Sequence, residues 1–232
     1  MEFVPVFCRK NGDDNNYWYE IANNQNTSYH PSYRSWDIRI LQRWKQTILK
    51  IKKFMYCKDK NMVDNTLLLK DKFGLNTIIE TGTYIGESTQ LLSTMFDKVY
   101  SCELFYDRYK QHYTKLLKND KVKLIQGSSA DMLPSIFDEI GNDKFILYLD
   151  AHEKDSYPLI DELQVVADYG FKPVIVIHDW DVTHELETYE TYTICMDYVK
   201  DKMDLIYGTD GYIFERQGET DGLPAVGYFY SK

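Results

Sequence analysis

Two short stretches in the second half of the chain end apolar runs in groups that could act together. "FILYLDAHEK" runs into Asp150 and follows it with His152 and Lys154, and "PVIVIHDWDV" runs into His178 and Asp179. Carboxylates such as Asp150 and Asp179 at the ends of neighbouring strands can converge on one hard cation such as Mg²⁺, and an imidazole such as His178 suits Mn²⁺ or Zn²⁺ better. A cation held there would acidify a coordinated hydroxyl and orient it, and His152 or Lys154 is placed to accept the proton. Plainer roles stay open for each: Asp150 as a hydrogen-bonding group without metal, Asp179 as a cap on the following loop, both histidines as structural hydrogen-bond partners.

A second group lies upstream, where "NTIIETGTYIGEST" carries a strand-like run into a glycine-punctuated turn and then a helix start. Gly82 and Gly86 allow the tight turn and close packing, and the helix start presents backbone N–H groups. A dinucleotide site would want a second glycine where Tyr84 stands, so that the backbone could approach a pyrophosphate. A nucleoside without phosphates needs no such approach, and an amino-acid tail could lie along the turn. The next strand-like run ends in Glu103, about the separation at which an acid meets ribose hydroxyls in nucleotide-binding sheets.

The elements that must position these groups alternate regularly after residue 75. Strands are predicted over 76–81, 98–103, 122–126, 145–150 and 173–179, each rich in branched or aromatic residues. Helices are predicted over 87–95, 106–118, 131–140 and 158–169. This alternation, with near-continuous apolar strands, predicts a parallel sheet covered on both faces, whose ligands bind at the carboxyl ends of the strands. A long helix is predicted over 183–200, and the closing "MDLIYGTDGYIFER" and "LPAVGYFY" read as an antiparallel hairpin at a sheet edge. Residues 1–74 differ in character, polar and Asn/Tyr-rich at first and then an amphipathic helix from Trp36 to Met55 with one basic face. They read as an N-terminal helical cap on the domain of residues 75–232, and aromatic residues such as Tyr17, Trp18 and Trp36 there suit either packing or substrate stacking.

Composition narrows the function class. With 232 residues, 44% hydrophobic and 15% aromatic, the chain can bury a core, and it reads as one domain with a decorated end. No run reaches the roughly 18 apolar residues of a membrane span, and the start lacks a secretory signal, so a soluble, cytoplasmic protein is expected. Cys8, Cys57, Cys102 and Cys195 are widely spaced, as reduced structural thiols would be. A net charge of -9 disfavours broad nucleic-acid binding and favours a cationic ligand.

Taken in order, these motifs resemble class I S-adenosylmethionine-dependent methyltransferases, nearest to the catechol O-methyltransferase type and related small-molecule and sugar O-methyltransferases. The resemblance covers about residues 61–180 plus the terminal hairpin. It implies a Rossmann-like α/β sheet of seven strands, five parallel strands plus a C-terminal antiparallel hairpin. It also places Glu80, Gly82, Thr83, Tyr84, Gly86 and Ser88 along the methionine part of the cofactor, Glu103 at the ribose, Gly127, Ser128 and Ser129 of "VKLIQGSSADMLPSI" near the adenine, and Asp150 beside them. The catalytic set it implies is His152, Lys154 and Asp179, and the metal set Asp150, Asp179 and His178, with Mg²⁺ or Mn²⁺. Two departures stand out. Trp180 follows Asp179 where the metal-dependent pattern has Asn, and "DAHEK" has one more residue between its Asp and its His than the catechol pattern has. The implied activity is methyl transfer to a hydroxyl of a small molecule, with metal-free transfer using His152 or His178 as base, or a catalytically silent cofactor-binding module contacting RNA or a protein, as the other readings. "DAHE" also departs from the motif of DNA amino-methylating enzymes, so DNA is not an expected partner and RNA is disfavoured.

Overall fold

A computed structural model describes residues 60–116, 118–152, 157–185, 191–218 and 223–232. Residues 1–59 of the expected cap over 1–74, its basic helix included, lie outside the described residues, as does Lys154.

The described chain begins with α1 (Lys60–Phe73), which Gly74 ends in the left-handed region with φ 66°. Five strands alternating with four helices follow: β1 (Thr77–Thr81), α2 (Glu87–Met95), β2 (Lys98–Glu103), α3 (Tyr106–Leu116), β3 (Val122–Gln126), α4 (Ser129–Ile140), β4 (Phe145–Leu149), α5 (Leu159–Asp168) and β5 (Val174–Trp180). Then come β6 (Thr183–Glu185), β7 (Thr191–Thr193), α6 (Met196–Tyr207), β8 (Tyr212–Gln217) and β9 (Ala225–Ser231). The seven-stranded sheet has the order β3-β2-β1-β4-β5-β9-β8, parallel from β3 to β5 and antiparallel at β9 and β8. This is the architecture expected from the sequence.

Its cause is visible in the central strands. Every residue of β1 and of β4 is buried, because helices cover both sheet faces. On one face Ile79, Leu147, Ile175 and Phe229 meet Leu133, Phe137, Leu163, Val199 and Met203 from α4, α5 and α6. Alternation turns Ile78, Val99, Ile146 and Val176 to the other face, where α2 and α3 lie over β2 and β3.

The segment after β5 corrects the expected helix over 183–200. Residues 183–185 and 191–193 pair as a two-stranded ribbon, and the helix starts only at Met196. Threonines and Tyr192 favour the pleated conformation, and Thr183 Oγ1 and Thr193 Oγ1 share a cross-strand hydrogen bond of 2.7 Å. Ile194, fully buried, locks the ribbon onto the sheet: its carbonyl accepts from the Asp181 N–H at 2.7 Å and its N–H donates to the Val182 carbonyl at 3.1 Å. The same helix runs on through "MDLIY", so the terminal hairpin starts at Tyr212 and not at Met203.

Candidate active site

Strand order reverses beside β1, with β2 on one flank and β4 on the other, and the carboxyl ends of these strands frame a cavity of about 710 Å³. Its wall joins the glycine turn, the Glu103 loop, Gly127 and Ser129 to Asp150, His152 and His178.

The turn after β1 is shaped by close approach. At Gly82, with φ 83°, a Cβ would lie 2.6 Å from the Asp150 carbonyl oxygen, so only glycine lets the turn rest on the end of β4. Tyr84 also has φ 50° and is 58% exposed, its ring on the cavity wall with the Arg108 guanidinium 5.0 Å from its centroid. The position that dinucleotide sites reserve for glycine is therefore filled by an aromatic side chain. Glu103 braces this turn: its carboxylate accepts from the Tyr84 N–H at 2.8 Å and the Phe105 N–H at 3.0 Å.

The remaining cofactor candidates divide. Thr83, Ser88, Gly127 and Ser129 line the cavity with Gly82, Tyr84 and Glu103. Gly86 starts α2 instead, where a Cβ would meet Leu116 Cδ1 at 3.0 Å, and Ser128 holds the N-cap position of α4 without a side-chain capping hydrogen bond; neither is on the cavity wall. Ser129 also hydrogen-bonds the buried Glu162.

Glu80 lies behind the wall. It is fully buried, and its Oε2 accepts from Thr89 Oγ1 at 2.5 Å and Ser101 Oγ at 2.6 Å. Burial raises its pKa to about 7, against the opposing pull of the hydroxyl hydrogen bonds. A raised folded-state pKa means that the native protein binds more protons than the unfolded chain between the ordinary value of 4.5 and about 7. Stability is then fully present below that window and lost as pH rises through it. Glu80→Gln is expected to remove this loss, gaining about 3 kcal/mol more over the natural protein at pH 8 than at pH 5. Urea unfolding at the two pH values measures the difference, and an equal effect at both would show that Glu80 is not held protonated.

Beyond the turn, five side chains gather at the ends of β4 and β5 and on β6. Asp150 Oδ1 lies 3.2 Å from His178 Nδ1 and 3.5 Å from His152 Nε2. Asp179 Oδ1 lies 2.8 Å from His178 Nδ1, and its Oδ2 lies 3.0 Å from His152 Nε2 and 3.6 Å from His184 Nε2. Tyr148 donates its hydroxyl to Asp150 Oδ2 at 3.1 Å. Consecutive residues of a regular strand point to opposite faces, yet His178 and Asp179 both reach this cluster. A register break in the β5–β9 pairing between Ile177 and Trp180, with Asp179 at φ 56°, turns them together. Trp180 then packs inward, buried against Phe214 and Phe229 and over Gly227, where a Cβ would lie 2.6 Å from Trp180 Cε3. The residue in the expected Asn position is thus a core residue, and imidazoles surround the carboxylates in its place.

Electrostatics follow from this packing. Burial opposes charge on His152 and His178, but the close carboxylates of Asp150 and Asp179 overcome it, raising them to about 9 and about 10. Burial likewise pushes Asp150 and Asp179 up, and the two histidines outweigh it and hold both below the usual carboxylate range. Two carboxylates in one confined space make a site that attracts positive charge. His178 Nδ1 and His184 Nε2 are buried and have no aligned hydrogen-bond partner among the described residues, although carboxylate oxygens lie near both. Sequence reading missed His184, because its segment was taken for a helix; a histidine among strand-forming residues soon after Asp179 was the available signal.

No family model and no curated protein matches this sequence. Solved structures do. An O-methyltransferase from Bacillus cereus in complex with S-adenosylhomocysteine superposes with TM-score 0.56 at 14% identity, over 81% of this chain and 90% of that one. The fold is shared with class I O-methyltransferases. TomG from Streptomyces achromogenes, an O-methyltransferase of tomaymycin synthesis in complex with S-adenosylmethionine, gives 0.52 at 16% identity over 72% of this chain and 77% of its own. A Staphylococcus aureus protein described as a caffeoyl-CoA O-methyltransferase gives 0.53 at 15% identity over 93% and 98%. Among the described residues no helix is long and apolar enough to cross a membrane.

Proposed function

We propose that this protein transfers the methyl group of S-adenosylmethionine to a hydroxyl of a small molecule, in the range of a sugar, with a divalent cation at Asp150, His178 and Asp179. The observation that carries the reading is the continuity of one cavity from the Gly82–Ser88 turn and Glu103 to the carboxylate–imidazole cluster. Its volume of about 710 Å³ suits a cofactor together with a compact acceptor.

Each part of the wall has a task in this reading. Glu103 takes the ribose hydroxyls on the lone pairs left free by its two backbone contacts. Gly82, Thr83, Tyr84 and Ser88 hold the methionine portion, and Gly127 and Ser129 border the adenine. The cation set fits a metal by its donors: two carboxylates and a buried ring nitrogen with no aligned hydrogen bond. Such an ion, when bound, lowers the pKa of a hydroxyl beside it. The chain's own contribution is alignment, because methyl transfer asks mainly that nucleophile, carbon and sulfur lie in line. His152 Nε2 and His178 Nδ1 both face carboxylates, which supports a place for these rings in the cation centre.

Calorimetry with S-adenosylmethionine and S-adenosylhomocysteine, followed by turnover on a panel of sugars and phenols with Mg²⁺, Mn²⁺ or chelator, tests the proposal. Cofactor binding in the micromolar range and turnover that chelator abolishes are expected. Full turnover in excess chelator would sink the metal role, and absence of cofactor binding would leave the silent-module reading.

A further inference from the structure

Asp179 offers its two oxygens to different neighbours. Oδ1 belongs with His178 Nδ1 and Asp150, whereas Oδ2 belongs with His152 Nε2 and His184 Nε2. The second group is a set of its own: His152, Asp179 and His184 bring one ligand atom each within 4.8 Å of one another. We propose that His152, Asp179 and His184 form a second cation site, selective for a first-row transition ion such as Zn²⁺, that shares the Asp179 carboxylate with the site at Asp150 and His178. The inference rests on the proposed first site for its neighbour, and on the second group's own geometry for its existence.

Three observations support it. Donors around a tetrahedral ion with bonds of about 2.0–2.1 Å stand about 3.4 Å apart, and Asp179 Oδ2 lies 3.0 and 3.6 Å from the two ring nitrogens. His184 Nε2 is buried without an aligned hydrogen bond among the described residues, which costs free energy unless a cation or proton donor faces it. The ring planes are also held from outside. Tyr157 stacks on His152 at 5.4 Å and on His184 at 5.8 Å, and Tyr192 stacks on His184 at 5.3 Å, so both imidazoles are oriented before any ion arrives. Two nitrogens and one oxygen are borderline donors that leave coordination positions open, and they disfavour Mg²⁺, which asks for oxygen. The ribbon of β6 and β7 supplies His184, which gives this departure from the expected helix a purpose.

Metal content separates the outcomes. The full chain, stripped with chelator, reloaded with Zn²⁺ or Co²⁺ and desalted, is expected to retain two equivalents by mass spectrometry. His184→Ala and the milder His184→Asn should each retain one, with S-adenosylhomocysteine affinity unchanged as the control for folding. Asp150→Asn should lose the other equivalent and keep the visible Co²⁺ bands of a histidine-bound ion. One equivalent in the natural protein, unaffected by either His184 variant, would overturn the second site while leaving the first in place. One equivalent that His184→Asn removes and Asp150→Asn does not would keep the second site and remove the first. No retained metal would overturn both, with cofactor binding then deciding whether the methyl-transfer reading survives.

Discussion

Asp179→Asn is expected to lower kcat by about a thousandfold, roughly 4 kcal/mol of transition-state stabilisation, while S-adenosylhomocysteine affinity changes less than about threefold. Asn is the informative replacement because Asp179 sits at φ 56°, a conformation Asn tolerates and Ala does not. The substitution keeps the shape of the β5 bulge and removes one negative charge from a position that touches three imidazoles. In the proposed reading a cation at this centre would lose its shared ligand, and an acceptor hydroxyl would keep its ordinary acidity. The cofactor should be indifferent, since the residues proposed to hold it follow β1, β2 and β3 and Asp179 does not line the cavity. Steady-state kinetics with cation titration gives the answer. An unchanged kcat would remove Asp179 from the chemistry, and a parallel loss of cofactor affinity would point to collapse of the β5 end.

Glu103→Ala is expected to weaken S-adenosylmethionine binding by about a hundredfold, the equivalent of two charge-assisted hydrogen bonds to the ribose at somewhat over 1 kcal/mol each. It also leaves the Tyr84 and Phe105 N–H groups without their acceptor, so a stability loss of about 1–3 kcal/mol should accompany it. The two effects separate by ligand. S-adenosylhomocysteine lacking its ribose hydroxyls should bind the natural protein and Glu103→Ala within about fivefold of each other, whereas the intact cofactor should not. Calorimetry with both ligands is the measurement. If both lose affinity equally, Glu103 serves the turn alone and the ribose contact belongs elsewhere.

The seven-stranded architecture was legible in the sequence because the central strands are buried on both faces. A strand such as "FILYL" must be apolar throughout, and each helix between strands must show its 3.6-residue period. Gly82 and the acid at Glu103 were legible for a related reason: a tight turn and a strand end impose residue types locally. The same local logic set Asp150 and Asp179 at strand ends.

What only the tertiary structure decided is how those residues face one another. Alternation along β5 would separate His178 from Asp179, and the bulge that unites them arises from pairing with β9, more than forty residues later in the chain. Glu80 reads as a cofactor residue by its place in the turn, yet packing of α2 against β2 encloses it with Thr89 and Ser101. His184 belongs to the site because the buried Ile194 draws its ribbon against the sheet, a contact with no periodic signature. Local sequence pattern determines which face of an element is apolar; long-range pairing determines which polar groups converge, and in this protein those groups form the candidate active site.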